Sequence, residues 1–193
     1  VGEGAEGTCS LAISGNKIEG ELSDNLIVKA YRMLSADHIL PHINFNLEKH
    51  IPSQAGLGGG SSDATYTLRL LNKLCQLNLN SATLHQYAVR LGADCAFFVT
   101  ATPAFATGIG DILEPMNAEC AHLHGMYLLI VKPTVAISTA QAFAFVKPEP
   151  TLIKCKDIVA QPVNSEWRNH LTNNFEVSAF KLHPEMHTIK EQL

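Results

Sequence analysis

Charge is scarce in this chain: of 193 residues, 17% are Asp, Glu, Lys or Arg, against roughly 25% in an average soluble protein. With 46% hydrophobic residues and a net charge of −4, the balance is opposite to that of a disordered chain. The mild acidity offers no basic surface for nucleic acid. Long apolar runs are also missing. The longest, Met126–Val131 and Cys95–Val99, have six and five residues, far short of the roughly 18 that a membrane-spanning helix needs. The first eight residues, rich in Gly and Glu, have neither the basic nor the apolar region of a secretory signal. There is no internal repeat and no low-complexity tract. The five cysteines include no Cys-x-x-Cys pair, which reads as free thiols in a reducing, cytoplasmic setting rather than a disulfide framework or zinc site. His122 and His124 share one face if they lie on a strand, but no third ligand has recognisable spacing, so no metal site is expected.

What is present is a mixture of helical and strand patterns. Leu11–Ile13 and Lys17–Glu21 read as short strands around the turn Ser14-Gly15-Asn16. Ser23 or Asp24 is placed to cap a helix whose apolar residues Leu26, Ile27, Ala30, Tyr31 and Leu34 recur at helical spacing. From His42 to Glu48 apolar and polar residues alternate, the pattern of a half-buried strand and more typical of an antiparallel or mixed sheet than a parallel one. Helices are predicted from Ala64 to Cys75 and from a Ser81 cap to Leu91, with Gly92 as the stop. The pattern loosens over 114–125, as a domain linker would. Met126–Lys132 then reads as a buried strand, Ser138 or Thr139 as the cap of a short helix ending near Lys147, and Pro148 and Pro150 as a loop. Asn173–Leu193 is helical with a break at Pro184. Without a regular βαβ rhythm, the fold class is α+β.

The most specific signal is the segment Ile51-Pro-Ser-Gln-Ala-Gly-Leu-Gly-Gly-Gly-Ser-Ser-Asp63 between a strand and a helix. Glycines let backbone amides approach a ligand, and the helix that follows adds unpaired N–H groups and a positive dipole end, a setting for phosphate. Ser61 and Ser62 can donate to phosphate oxygens or face a cation. Spacing excludes three better-known loops: Gly60 is followed by Ser61 where a Walker loop needs lysine, position 61 is not the third glycine of a dinucleotide fingerprint, and Gly-x-Ser-x-Gly occurs nowhere.

These residues resemble the phosphate loop of the GHMP kinases. The triple glycine followed by Ser-Ser-Asp-Ala is most similar to the branch that phosphorylates a hydroxyl of a CDP-linked sugar alcohol on the non-mevalonate route to isoprenoids. The similarity continues through Ser23-Asp-Asn-Leu-Ile27, Leu91-Gly-Ala-Asp-Cys-Ala-Phe-Phe98, Ala104-Phe-Ala-Thr-Gly108 and Asn173-Asn-Phe-Glu176. It implies a GHMP kinase fold, with a ribosomal-protein-S5-domain-2-like nucleotide domain over residues 1–122 and a partial ferredoxin-like domain over residues 123–193. It also implies ATP with Mg²⁺, a small-molecule acceptor phosphorylated on its 2-hydroxyl, and no nucleic-acid or membrane partner; the oligomeric state stays open. Two rivals remain: another kinase of the family, of homoserine or mevalonate type, and a non-catalytic nucleotide-binding module.

By the same resemblance Pro52, Ser53, Gln54, Ala55, Gly56, Leu57, Gly58, Gly59, Gly60, Ser61 and Ser62 form the nucleotide loop. Lys49 and Asn25 match nucleotide-contacting positions, Thr139 and Phe143 match substrate-side positions, and Asp94 matches the catalytic aspartate that orients and deprotonates the acceptor hydroxyl. Taken alone, Asp94 is equally suited to capping the next turn, Lys49 to a solvated strand end, and Phe143 to a small core with Phe145. Asp94 also precedes the apolar run Cys95–Val99, where partial desolvation is expected. Gln54 stands where many relatives have glycine, and Ala96 where many have proline. The family's N-terminal Lys-x-Asn and Asp-Gly-Tyr-His blocks and its C-terminal Ser-Gly-Ser-Gly block are not found. The chain, starting at Val1 and stopping at Leu193 within a helical run, is therefore expected to be incomplete at both ends, to bind ATP weakly and not to turn over alone.

Overall fold

The computed structural model describes residues 2–18, 20–147 and 153–193. It divides into two compact units, Val1–Pro115 and Met116–Leu193, separated within the stretch where the sequence pattern loosens.

The first unit begins with strand β1 (Cys9–Gly15), helix α1 (Leu26–Asp37) and strand β2 (Ile43–Lys49). A short 3₁₀ turn, Leu22–Asp24, precedes α1, so Asn25 rather than Ser23 or Asp24 is the cap; its side-chain oxygen accepts from the Ile27 amide at 2.9 Å. The Lys17–Glu21 segment is not a strand where it is described, and Glu19 lies outside the described residues. β1 and β2 pair in parallel, Cys9 opposite Ile43 and Gly15 opposite Lys49, against the expectation of an antiparallel or mixed sheet. The alternation in β2 is real, with Ile43 and Phe45 buried and Asn44 and Asn46 exposed. Alternation reports that one face is covered; it does not report strand direction, which here follows from α1 crossing between the two strands.

Helices α2 (Gly59–Leu74) and α3 (Ser81–Leu91) follow, then the 3₁₀ segment Ala93–Val99 and a hairpin of β3 (Ala104–Thr107) and β4 (Ile112–Pro115). Asn80, one residue ahead of the expected Ser81, caps α3 by accepting from the Thr83 amide at 2.9 Å. The core joins one face of each helix to β2: Tyr31 and Leu34 of α1, Leu68 and Leu71 of α2, and Ala88 of α3 are fully buried. Tyr31 packs edge-on against Phe45 at 6.0 Å and donates its hydroxyl to the Pro41 carbonyl at 2.7 Å, satisfying the one polar atom that the ring carries inward.

The second unit, in its described residues, is built of short helices: α4 (Thr139–Phe143), α5 (Cys155–Val159), α6 (Ser165–His170), α7 (Glu176–Leu182) and α8 (Pro184–Gln192). Ser138 and Gln141 form a reciprocal capping box at the start of α4. The helix ends at Phe143, short of Lys147, while Pro148 and Pro150 lie outside the described residues. Met126–Lys132 is neither a strand nor buried, with Tyr127 fully exposed and Leu128 84% exposed. The run has strand-like composition, but a strand requires a hydrogen-bonded neighbour, and the described residues of this unit provide none. His122 sits in a 3₁₀ turn, Ala121–Leu123, rather than on a strand, and its ring meets Trp167 edge-on at 6.1 Å. Among the described residues there is no group of metal-ligating side chains and no helix long and apolar enough to cross a membrane. The five cysteines are unpaired.

Leu68, fully buried at the centre of the first unit, gives a direct test of this core. Leu68→Ala is expected to cost about 2–5 kcal/mol in urea denaturation, whereas Leu128→Ser should change stability by less than about 0.5 kcal/mol.

Candidate functional site

β2 delivers the chain into the glycine segment, and α2 takes it away. The end of β2 is held firmly: the Asn16 amide donates to the Lys49 carbonyl at 2.7 Å, and the Asn16 side chain donates to the His50 carbonyl at 2.6 Å. Gly58, at φ +66°, is the N-cap of α2 in the left-handed region. Its carbonyl accepts the Ser62 amide at 2.9 Å as the first helical bond, so the amides of Gly59, Gly60 and Ser61 start the helix without intrahelical partners. A side chain at Gly58 would bring its Cβ within 3.1 Å of the Phe98 ring. Glycine at this position thus serves both the turn and the close packing behind it. Gln54 also has positive φ, +55°, which gives a physical reason for glycine to be the commoner residue there.

A cleft of about 270 Å³ opens beside the loop. Of the residues singled out in the sequence, it brings together Asn25, Lys49, Ser53, Gln54 and Gly60. The rest of the loop, Pro52, Ala55–Gly59, Ser61 and Ser62, is continuous with them in the chain. Asn25 spends its side-chain oxygen on the α1 cap, which leaves its amide NH₂ as the donor group for a ligand.

Lys49 departs most from its solvated-strand-end reading. It is only 5% exposed, and its ammonium forms an ion pair with Asp63 at 2.5 Å. Counting by twos from Ile43 through Phe45 and Leu47 puts Lys49 on the core face of β2, so the signal for its burial was in the sequence. Asp63, on the first turns of α2, also lines the cleft and was not among the expected site residues. The other charged side chains among the described lining residues are Glu21 and Asp24, the latter paired with Lys29 at 3.2 Å, so that Lys49 is the one cation among those lining residues. The groups here that suit an anion are therefore chiefly backbone amides and the positive end of the helix dipole.

Asp94 lies in the first turn of the 3₁₀ segment Ala93–Val99. Its side chain is exposed, so the expected partial desolvation is not found in these residues. The segment is instead fastened to α2 from behind. Thr65, fully buried, donates its hydroxyl to the Cys95 carbonyl at 2.8 Å. Burial pushes the Cys95 thiol up from its ordinary value, while hydrogen bonds with the Ser61 and Thr65 side chains pull it the other way. Cys95, the residue after Asp94, is thus tied to α2 through Thr65. Thr139 and Phe143 belong to the second unit. Both are exposed, and the Phe143 ring meets Phe175 edge-on at 4.8 Å.

Two glycines of the loop should respond to alanine with opposite sign. Gly58→Ala is expected to destabilise by about 1–2 kcal/mol, because left-handed backbone and the Phe98 contact both penalise a Cβ. Gly60, helical and with its nearest foreign atom 3.8 Å from a Cβ, should gain up to about 1 kcal/mol as alanine. Urea denaturation of the two variants measures both.

Comparison with known proteins gives a consistent result. The GHMP kinases N terminal domain profile matches residues 25–102, which take in α1, the glycine loop and the Asp94 segment. The chain is 47% identical over 184 residues to the 4-diphosphocytidyl-2-C-methyl-D-erythritol kinase of Bacteroides thetaiotaomicron, covering 95% of this chain and 66% of that protein. It is 40% identical over 190 residues to the enzyme of the same name from Porphyromonas gingivalis, covering 97% of this chain and 68% of the relative. A crystal structure of 4-(cytidine 5'-diphospho)-2C-methyl-D-erythritol kinase superposes with a TM-score of 0.56 at 28% identity, over 92% of this chain and 65% of that one. The chain thus spans about two thirds of the length of these relatives. Fold, loop and relatives agree: the chain belongs to the GHMP kinase family, among relatives named 4-diphosphocytidyl-2-C-methyl-D-erythritol kinase.

Proposed function

We propose that the protein to which this chain belongs transfers the terminal phosphoryl group of ATP to the 2-hydroxyl of 4-diphosphocytidyl-2-C-methyl-D-erythritol. The observation that carries this reading is the placing of a glycine loop and helix N-terminus beside a cleft holding Asn25 and Lys49, with the Asp94 segment fastened to the same helix. Phosphoryl transfer asks a protein mainly to position reactants and offset charge, and each part has a matching task. The loop from Pro52 to Ser62 holds the phosphates through its amides and serine hydroxyls, and Asn25 and Lys49 hold the nucleoside side. Asp94 orients the acceptor hydroxyl and takes its proton. Thr139 and the Phe143 ring receive the cytidine end, where an exposed aromatic offers a stacking surface.

The residues also suit Mg²⁺ travelling with the nucleotide. The Ser61 and Ser62 hydroxyls are hard oxygen donors at the phosphate loop, and the ion, when bound, supplies charge neutralisation on the phosphates. Five unpaired cysteines fit a reducing, cytoplasmic setting. A small molecule is the partner this chemistry calls for, with no part for nucleic acid or a membrane.

An ADP-release assay of the complete protein against a panel of acceptors tests the reading. Turnover with the CDP-linked alcohol is expected, and turnover with mevalonate or homoserine in its place would contradict it. Asp94→Asn should lower kcat by at least about 100-fold with little change in the KM for ATP; an unchanged kcat would remove Asp94 from the chemistry.

A further inference from the structure

A lysine that is only 5% exposed is rare unless its charge is paired. The Lys49 ammonium meets the Asp63 carboxylate at 2.5 Å, and the two side chains differ in access: Lys49 is 6% exposed and Asp63 27%. Both line the cleft, one from the end of β2 and the other from α2, with the glycine loop between them in the chain. The contact is also built around by the backbone. A Cβ on Gly59 would lie 3.2 Å from Lys49 Nζ and 3.0 Å from Ile51 Cγ2, so the first residue of α2 leaves just enough space for the ammonium to reach across. Thr67 continues the arrangement by donating its hydroxyl to the Asp63 carbonyl at 2.7 Å, one turn further along the helix.

We propose that Asp63 is a positioning residue that acts through Lys49: its carboxylate holds the ammonium at the foot of the glycine loop, so that a nucleotide meets a preformed donor rather than a mobile side chain. The inference rests on the reading of this cleft as the nucleotide site. A free lysine would lose the freedom of four side-chain torsions each time it bound a ligand, whereas a held one has lost it already. The Asp63 carboxylate, in the lining of the cleft, also disfavours negative phosphates at this end and so leaves them to the loop amides. The pair therefore orients the nucleotide as well as contacting it.

The test combines affinity for a fluorescent ATP analogue with the rate at which acetic anhydride modifies Lys49, followed by mass spectrometry, and thermal unfolding as a control for folding. Lys49 should be modified slowly in the unaltered chain and quickly in Asp63→Asn. The same variant should bind the analogue about tenfold more weakly, the loss expected for one charge-assisted hydrogen bond. Asp63→Glu, which keeps the carboxylate, should recover part of both. Lys49→Met should weaken binding by a similar factor, and the double variant should be no worse than Lys49→Met alone, because Asp63 acts only through the lysine. Losses that multiply in the double variant would show that Asp63 acts independently and would overturn the proposal. Tighter binding in Asp63→Asn would overturn it differently, by showing that the carboxylate competes with the nucleotide for the ammonium. An unaltered chain that is folded, protects Lys49 and yet binds no analogue would contradict the nucleotide reading itself and reduce the pair to a structural contact.

Discussion

The cleft depends on one constraint: α2 is clamped on its buried side, so the place where it begins cannot drift. Ala64, Leu68 and Leu71 are fully buried against α1 and the rest of the core, and Thr65 is bound to the Cys95 carbonyl. A helix held this way fixes the position of its own first turn, and with it the orphan amides that follow Gly58. The turn is also packed from behind, since a Cβ on Gly58 would press on the Phe98 ring at 3.1 Å. The same clamp serves Asp94, because the segment that carries it is tied to α2 through Cys95. The glycine loop and the proposed base are thus referred to a single rigid element, which suits a reaction governed by positioning.

Electrostatics complete the division of labour. A chain poor in charge has placed three carboxylates, one of them paired with Lys29, and one ammonium among the described residues that line this cleft. That is a poor site for a triphosphate and a reasonable one for the polar hydroxyls and ring nitrogens of a nucleoside. The loop beside it has the reverse character, with aligned amides, the hydroxyls of Ser53, Ser61 and Ser62 and no side-chain carboxylate until Asp63. Under the proposed function this contrast would direct the nucleotide, phosphates to the helix N-terminus and nucleoside to the cleft. Lys49 is the exception, and its pairing with Asp63 keeps an otherwise costly buried charge in place.

Much of this was legible in the residues. The three long helices of the first unit were readable from apolar spacing, the glycine loop from its composition and place between strand and helix, and the β2 face from its alternation. That alternation even extends to Lys49, whose burial follows from the same period. What was not legible was non-local. The direction of β2 is decided by the path of α1, not by the pattern of the strand, and the Met126–Lys132 run carries strand composition without a neighbour among the described residues of its unit. The caps at Asn25 and Asn80 each compete with adjacent Ser or Asp residues of similar propensity, so only the backbone could choose between them. Asp63 escaped notice because a carboxylate beside a phosphate loop looks wrong until the lysine it faces is seen.

Amide chemical-shift mapping with the ¹⁵N-labelled chain tests the central claim most directly, since it does not depend on turnover. Titration with a non-hydrolysable ATP analogue should move the amides of Gly56–Ser62 most, followed by those around Asn25 and Lys49, with the Ala93–Val99 segment moving less. Loop amides that stay in place while resonances elsewhere shift would contradict the account, because the site would then lie away from the helix N-terminus on which it is built.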